Sequence, residues 1–230
     1  MKICGMEKFS MVDFDGYISC TVFTPGCNFR CPFCHNAALV TGEAAVMPES
    51  EVFDYLKKRK GLVDAVCITG GEPTLQADLK DFILRVRALG YKVKLDSNGT
   101  NPAVLEELIG EGLLDYVAMD IKSDFETYGK VIGVESPALL ERVKKSVEIL
   151  KNSPIEYEFR TTAIKEFHSE KNFAAIAEIV RGAKRFFVQK FKDGENNLTQ
   201  GLLHELPEDD AKKFLAEVGK SVRVTGLRGY

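Results

Sequence analysis

A repeated alternation of short apolar segments with amphipathic ones constrains the fold of this chain more than any other sequence feature. Segments of strand length, either short apolar runs or alternations of apolar and polar residues, occur at 18–23, 65–69, 92–96, 116–121, 155–161 and 185–189. Between and after them, apolar residues at helical spacing predict helices over 49–60, 79–89, 103–109, 138–151, 173–180 and 208–218. Strands that alternate with helices of this length predict a parallel α/β sheet.

The number of repeats narrows the architecture. About six units are too few for the usual eight-stranded closed barrel, so the pattern predicts either a partial barrel or an open doubly wound sheet. The segment up to Gly16 reads as a turn-linked extended pair, and 221–225 reads as a final extended run. No linker rich in Pro, Gly or Ser interrupts the chain, so residues 1–230 are predicted to form a single domain.

Composition argues against two broad functional classes. The net charge of −3 disfavours a protein that binds nucleic acid by neutralising phosphates, and no apolar run approaches the roughly 20 residues that cross a bilayer. The first residues show no basic segment leading into an apolar core and a cleavage site. We therefore expect a cytoplasmic protein whose clustered thiols bind metal. Three scattered cysteines, Cys4, Cys20 and Cys67, are predicted to be buried small hydrophobes.

The other three cysteines stand within eight positions of one another. Cys27, Cys31 and Cys34 have the spacing C-x3-C-x2-C. A 4Fe-4S cluster normally takes four thiolates, so three would leave one iron open to another ligand. Cys31 to His35 also matches the C-x-x-C-H haem attachment pattern, and three thiols with a histidine could hold zinc. Haem attachment would require export, and the adjacent Cys34 and His35 would reach one zinc ion only under strain.

Polar or glycine-rich groups follow the other predicted strands. They are Thr69-Gly70-Gly71-Glu72-Pro73, Asp96-Ser97-Asn98-Gly99-Thr100, Asp120-Ile121-Lys122, Arg160-Thr161-Thr162 and Gln189-Lys190. Each could singly be a turn or an exposed ion pair of little energetic weight. In parallel βα architectures, however, active sites form at the carboxyl ends of the strands. The shared position of these groups with a three-cysteine loop therefore favours one active site.

The cysteine spacing followed by Gly-Gly-Glu-Pro resembles the radical S-adenosylmethionine superfamily, and the two motifs together are more specific than either alone. Cys34-His35-Asn36, Leu95-Asp96-Ser97-Asn98-Gly99 and Asp120-Ile121-Lys122 narrow the resemblance to the glycyl-radical-enzyme activating branch. Residues 27–122 look most like the activating proteins of anaerobic ribonucleoside-triphosphate reductase. The resemblance covers roughly the length of the chain, and its specific motifs end near Thr162.

The resemblance implies a fold and a set of cofactors. The fold is a partial (β/α)6 barrel of the TIM type with parallel strands. Cys27, Cys31 and Cys34 would hold a 4Fe-4S cluster whose fourth iron is chelated by S-adenosyl-L-methionine. The other positions carried over would surround that ligand: Phe33 near the adenine; Gly70, Gly71 and Glu72 at the amino group; Asp96, Ser97 and Asp120 around a monovalent cation beside the carboxylate; and Asn98 and Lys122 in the polar wall.

The resemblance also implies a reaction. A one-electron donor such as flavodoxin or ferredoxin would reduce the cluster, and S-adenosylmethionine would be cleaved to methionine and a 5′-deoxyadenosyl radical. That radical would remove hydrogen from a glycine Cα of a partner glycyl-radical enzyme, with anaerobic ribonucleotide reductase as the first choice. The alternatives are an activator of the pyruvate formate-lyase type, a small-molecule enzyme such as a deazaguanine synthase, an iron–sulfur electron carrier and a zinc module.

Two features near the C-terminus stand apart from the motifs. Pyruvate formate-lyase activators carry a histidine at the end of the sixth strand, where this chain has Gln189, so no role is carried over to that position. The run Arg223–Tyr230 faintly resembles the glycine loop that such activators attack. We interpret it as a closing strand with a frayed end.

Overall fold

The computed structural model describes residues 1–230. Eight strands make up the sheet: β1 Gly5–Ser10, β2 Ser19–Thr24, β3 Ala65–Gly70, β4 Lys92–Ser97, β5 Tyr116–Asp120, β6 Glu156–Ala163, β7 Arg185–Lys190 and β8 Val224–Arg228. Eight helices accompany them: α1 Ala37–Thr41, α2 Glu49–Lys58, α3 Leu79–Ala88, α4 Pro102–Gly110, α5 Tyr128–Ile132, α6 Pro137–Asn152, α7 Glu170–Ile179 and α8 Glu208–Val218.

The strands follow one another along the sheet in chain order, from β1 to β8. β1 is antiparallel to β2, whereas β2 and β3, β3 and β4, β6 and β7, and β7 and β8 pair in parallel. The sheet does not close on itself. The predicted α/β fold, a partial barrel with parallel strands, is therefore confirmed, and the open doubly wound alternative is not adopted.

The chain divides into two compact units whose segments interleave along the sequence. The first comprises residues 1–28, 38–97 and 103–117, and the second comprises 29–37, 98–102 and 118–230. In the first unit, Leu56 of α2 and Ile83 of α3 are fully buried, as is Ile68 of β3. In the second, the rings of Phe173 and Phe214 stack at 4.4 Å between α7 and α8. The prediction of a single domain over 1–230 stays a prediction.

Local sequence signals account for the helix starts of the second unit. Ser136 caps α6 by accepting a hydrogen bond from the Leu139 amide, with Pro137 in the first turn. Ser169 and Asn172 form a reciprocal capping box at the start of α7. These caps satisfy amide groups that have no partner within the helix. All six predicted helices are present within a few residues of their predicted bounds.

The differences from prediction lie at the chain ends and in the shortest elements. The antiparallel partner of β1 is β2 itself, so the pair extends beyond Gly16. The final strand begins at Val224 instead of Ser221, because its ladder to β7 starts where Arg185 pairs with Val224. Gly226 is part of that ladder, in agreement with a closing strand. The one-turn helices α1 and α5 were not predicted, since five residues carry too little periodicity. None of the helices is both long and apolar enough to cross a membrane.

Candidate functional site

Gly70 and Gly71, at the end of β3, are required by backbone packing within the first unit. A Cβ on Gly70 would lie 2.3 Å from the Thr24 amide nitrogen, and one on Gly71 would lie 1.9 Å from the Gly26 carbonyl oxygen. Gly70 also has a φ angle of 123°, which residues with a side chain rarely adopt. The amides of Gly71 and Glu72 donate to the Thr24 and Gly26 carbonyl oxygens at 2.8 and 2.7 Å. The double glycine thus holds the segment that leads into Cys27.

Glu72 is the centre of a buried hydrogen-bond network. Its side chain is inaccessible to solvent, and Oε1 accepts hydrogen bonds from the Thr74 amide at 3.1 Å, the Thr74 hydroxyl at 2.5 Å and the Ser97 hydroxyl at 2.9 Å. Ser97 ends β4, so the carboxylate ties together the ends of two strands. Two predicted site residues, Glu72 and Ser97, are therefore in direct contact in the first unit.

Asp96, the next predicted residue on β4, is paired with a lysine of the same strand. Lys94 Nζ lies 2.9 Å from Asp96 Oδ1 and also donates to the Asp13 carbonyl oxygen at 2.5 Å. Residues two apart on a strand share a face, which places the two charges together. The Asp96 carboxylate thus already has a positive charge beside it, and a monovalent cation at this position stays a prediction.

The cysteine loop crosses from the first unit, which contains Cys27, to the second, which contains Cys31 and Cys34. None of the three cysteines forms a disulfide. Cys31 is buried, and the amide of Cys34 donates to its carbonyl oxygen at 3.0 Å, closing a turn around Pro32 and Phe33. His35 is exposed on this loop.

The unpredicted helix α5 supports the loop from one side. The Arg30 amide donates to the Ile132 carbonyl oxygen at 2.8 Å, and the Phe29 ring packs edge-on against Tyr128 at 6.3 Å. Gly133 follows at φ of 67°, with the position of its missing Cβ only 2.4 Å from the Arg30 carbonyl oxygen. No sequence motif announces these contacts, apart from the glycine that ends α5.

Asp120 and Lys122 belong to a charged cluster that also includes Arg160. Lys122 Nζ lies 2.8 Å from Asp120 Oδ2, and Arg160 Nε lies 2.9 Å from Asp120 Oδ1. Burial opposes ionisation of Asp120, but the charges of Arg160 and Lys122 outweigh it and hold the pKa of the carboxyl below its ordinary value. Burial likewise opposes the charge of Lys122, yet Asp120 and the Cys31 thiol raise its pKa. Both groups are therefore ionised at neutral pH.

Lys122 connects this cluster to the cysteine loop. Its ammonium lies 5.8 Å from the centroid of the Phe33 ring, within cation–π range. Its backbone carbonyl oxygen accepts from Nε2 of His168 at 2.9 Å, while Nδ1 of that histidine accepts from the Ile164 amide at 3.0 Å. Burial lowers the pKa of His168, which keeps the ring neutral. The second unit therefore brings together Phe33, Lys122 and Asp120.

Asn98 is buried and serves a tight turn after β4. Its Oδ1 accepts hydrogen bonds from the Thr100 amide at 3.0 Å and the Thr100 hydroxyl at 2.7 Å. Gly99 follows at φ of 77°, and its carbonyl oxygen accepts from the Ser146 hydroxyl at 2.6 Å. The side chain of Asn98 thus shapes the loop at the end of β4.

Several site residues lie outside the predicted set. Arg160 stands in a strand-end group that the sequence singled out, but its pairing with Asp120 required the β5 and β6 partners to be known. His168 and Tyr128 carry no sequence signal at all. Gln189 lies on β7 between Thr162 and Arg228 of the neighbouring strands, and nothing assigns it a role.

The remaining cysteines differ from the loop cysteines in their surroundings. Cys20 and Cys67 are fully buried, as predicted, whereas Cys4 is only half-buried. Burial raises the pKa of Cys20 to about 12, which disfavours the thiolate form that binds metal. Cys67 lies 3.9 Å from Asp96 Oδ1 on the neighbouring strand.

The donor set of the loop fits an iron–sulfur cluster. Thiolates are the ligands of such clusters, and Cys27, Cys31 and Cys34, none of which forms a disulfide, are the cysteines grouped in the sequence. No group of three or more His, Cys, Asp or Glu side chains that could hold a metal ion is gathered in this structure. Lys122 places a positive charge near Cys31 and Cys34, which favours their thiolate forms.

Comparison with known proteins agrees with this chemistry. The family model "Radical SAM superfamily" matches residues 21–186. A protein of Methanocaldococcus jannaschii, provisionally named a glycyl-radical enzyme activating enzyme, is 30% identical over 95% of this chain and 91% of its own length. A Pyrococcus abyssi protein, provisionally named a GTP 3′,8-cyclase, is 32% identical over 54% of this chain, which spans only 40% of it.

A solved structure shows the same fold at lower identity. SuiB of Streptococcus suis bound to S-adenosylmethionine superposes with a TM-score of 0.70 at 16% identity, covering 91% of this chain and 52% of SuiB. The family model spans well over half of the sequence and includes the cysteine loop and the strand-end groups through β6. The chain therefore belongs to the radical SAM superfamily, whose enzymes use a 4Fe-4S cluster and S-adenosylmethionine.

Proposed function

We propose that this protein is a glycyl-radical-enzyme activating enzyme whose partner is anaerobic ribonucleoside-triphosphate reductase. The observation that carries the first part is the M. jannaschii relative, which matches this chain over nearly the full length of both proteins. The choice of reductase rests on the motifs between Cys27 and Lys122. The six cysteines include only one group of three, so the chain carries no second cysteine group for an auxiliary cluster.

Cys27, Cys31 and Cys34 would hold the cluster. When bound, the cluster and S-adenosylmethionine supply reductive cleavage of the sulfonium and hydrogen-atom abstraction. The protein contributes binding, orientation and exclusion of water. The Phe33 ring would offer a flat apolar surface to the adenine, and the half-buried Lys122 ammonium, 5.8 Å from the centroid of that ring, would belong to the polar wall of the ligand site.

The polar strand ends would contact the rest of the ligand. In the first unit, Glu72 fixes the end of β3 to Ser97 of β4, so backbone groups there have defined positions. In the second, Asp120 holds Lys122 and Arg160 in place. The ligand contacts proposed from the sequence motifs are Phe33, Gly70, Gly71, Glu72, Asp96, Ser97, Asn98, Asp120 and Lys122.

Two other functions within the superfamily remain as competitors. An activator of the pyruvate formate-lyase type would use the same site on a different partner. A small-molecule enzyme would follow the Pyrococcus relative, but this chain spans only 40% of that protein. The proposed partners are a glycyl-radical enzyme and a one-electron donor such as flavodoxin or ferredoxin.

Reductive cleavage tests the activity itself. The anaerobically reconstituted and reduced protein should change its electron paramagnetic resonance spectrum on addition of S-adenosylmethionine and release 5′-deoxyadenosine. An iron–sulfur electron carrier would show a cluster indifferent to the ligand. Absence of cleavage with a strong reductant would refute the proposal.

The cluster ligands can be tested with a matched pair of buried cysteines. Cys31→Ala should abolish the four-iron chromophore, whereas Cys67→Ala should retain it, because both thiols are buried but only one belongs to the loop. Iron content and the visible absorption spectrum report the result. Equal loss of iron in both variants would mean that the ligands are misassigned.

The partner requires a separate assay. Mixing the reduced protein and S-adenosylmethionine with the anaerobic reductase should produce a glycyl-radical doublet. Pyruvate formate-lyase, treated in the same way, is the control. A doublet in the lyase alone would overturn the choice of partner while leaving the activating function intact.

A further inference from the structure

The segment between β7 and α8 contacts the cysteine loop although no motif marks it. We call residues 193–201 the clamp segment. The Leu198 amide donates to the Cys34 carbonyl oxygen at 3.0 Å, and the Thr199 amide donates to the Pro32 carbonyl oxygen at 2.8 Å. On the other side of the loop, the Ala37 amide donates to the Asn196 carbonyl oxygen at 3.1 Å. Three backbone hydrogen bonds thus join the two segments within the second unit.

The clamp segment is itself held in one shape by two polar side chains. Asn197 is buried, and its Nδ2 donates to the Lys192 carbonyl oxygen at 3.1 Å and to Asp193 Oδ1 at 3.2 Å. Asp193 Oδ2 accepts from the Gly201 amide at 2.8 Å, across eight residues. The segment therefore has internal side-chain hydrogen bonds that help to position the amides it presents to the cysteine loop.

The hydrogen bonds from Leu198 and Thr199 reach the backbone of Cys34 and Pro32, and the backbone at these positions sets the directions of the Cys31 and Cys34 thiols. Pro32 and Cys34 flank Phe33, and the α5 contact of Arg30 fixes the other end of the loop. A cluster ligand works only when its backbone holds the sulfur in place, and outer contacts that orient ligands commonly change metal affinity by about 10- to 100-fold. Sequence positions after 162 thereby act on a motif more than 150 residues earlier.

We propose that the clamp segment, with Asn197 as its positioning residue, holds the cysteine loop in the cluster-binding conformation and slows loss of the cluster. This inference rests on the assignment of Cys31 and Cys34 as cluster ligands. Asn197 touches neither cluster nor substrate, since its side chain bonds only to the clamp segment and to Lys192. Its effect is on retention of the cluster and on the rigidity of the loop.

The test compares Asn197→Ala with Asn152→Ala in the full-length protein. Asn152 also donates its side-chain amide to a carbonyl oxygen, that of Glu148 at 2.8 Å, but it is the exposed last residue of α6 and bonds within its own helix. Hydrogen exchange of the metal-free protein is measured over peptides 195–201 and 28–36. Iron loss from the reconstituted protein to an excess of chelator is then followed by absorbance.

In Asn197→Ala we expect faster exchange in both peptides and iron loss accelerated about tenfold, the factor that corresponds to roughly one net hydrogen bond. Asn152→Ala should match the wild type. Asp193→Asn alters the carboxylate that accepts hydrogen bonds from Asn197 and Gly201, and it should reproduce the effect. It replaces Asn197→Ala in the test if that variant does not fold. If both clamp variants showed faster hydrogen exchange but lost iron at the wild-type rate, the proposed role of the clamp segment would be refuted. A wild-type protein that binds no cluster would instead overturn the proposed function.

Discussion

The substitution Gly71→Ala tests whether the double glycine is required by the chain's own backbone. The added Cβ would lie 1.9 Å from the Gly26 carbonyl oxygen and 2.6 Å from its carbon. Ordinary contacts of this kind are roughly 3.5 Å, so one backbone must move by more than about 1 Å. Both neighbours are main-chain atoms, and no side-chain rotation can relieve the overlap.

The cost follows from what such a shift breaks. The hydrogen bonds from Gly71 to Thr24 and from Glu72 to Gly26 are 2.8 and 2.7 Å long, and each is worth about 1 kcal/mol net. Overpacking adds about 1–3 kcal/mol. We therefore expect the free energy of unfolding to fall by about 3–5 kcal/mol, which at roughly 2–4 °C per kcal/mol lowers Tm by about 6–20 °C.

Urea and thermal unfolding of the metal-free protein measure this loss without any contribution from the cluster. The matched control is Gly110→Ala in the same unit, where no atom lies within 4 Å of the added Cβ. That substitution should leave stability unchanged or raise it by about 0.5–1 kcal/mol. A loss below about 1 kcal/mol for Gly71→Ala would refute the reasoning, and the glycine would then have to be explained by the approach of a ligand.

Two further predictions concern the buried Glu158 carboxylate and the half-buried Asp120 carboxylate, and both are checked by urea unfolding. Arg228→Ala removes the guanidinium that binds the buried Glu158 carboxylate at 2.6 and 2.9 Å, and it should lower the free energy of unfolding by about 3–5 kcal/mol. The control Lys213→Ala breaks an exposed pair with Asp210 and should lower it by less than about 1 kcal/mol. Equal losses in the two variants would contradict the role of burial. Asp120→Asn should cost about 2–4 kcal/mol at pH 7. Because the pKa of Asp120 is lowered in the folded protein, the ionised carboxylate stabilises the fold above its unfolded pKa of about 4, and this stabilisation is lost only as the pH falls further. If the difference in unfolding free energy between wild type and Asp120→Asn vanished between pH 7 and pH 5, the ionised state assigned to Asp120 would be wrong.

Short-range signals were enough to place most secondary structure. The bounds of α8, Glu208–Val218, were predicted correctly, because Pro207 and three acidic residues mark its start. β3 was recognisable as a short apolar run, and β4 was recognisable as an alternation of polar and apolar residues that follows Gly90. The five-residue helices α1 and α5 were missed, since their formation depends on contacts such as that between Ile132 and Arg30.

The candidate site was likewise only partly predictable from the sequence. Spacing alone identified the cysteine loop, and the order of strands and turns predicted that Glu72, Ser97, Asp120 and Lys122 stand at strand ends. The sequence could not reveal which of these side chains touch each other. The bond from Ser97 to Glu72 depends on the register of β3 against β4. Asp96 instead pairs with Lys94, two residues earlier on its own strand.

The amino-acid sequence by itself determined the βα order, the three thiols and the polar strand ends, because each depends on residues close together in the chain. Only the tertiary structure decided that Arg160 shares Asp120 with Lys122, that α5 supports Arg30 and that residues 193–201 bond to the cysteine loop. Those contacts join segments separated by dozens to more than 150 residues. Their existence depends on the lengths and packing of every element between them, which no local pattern records.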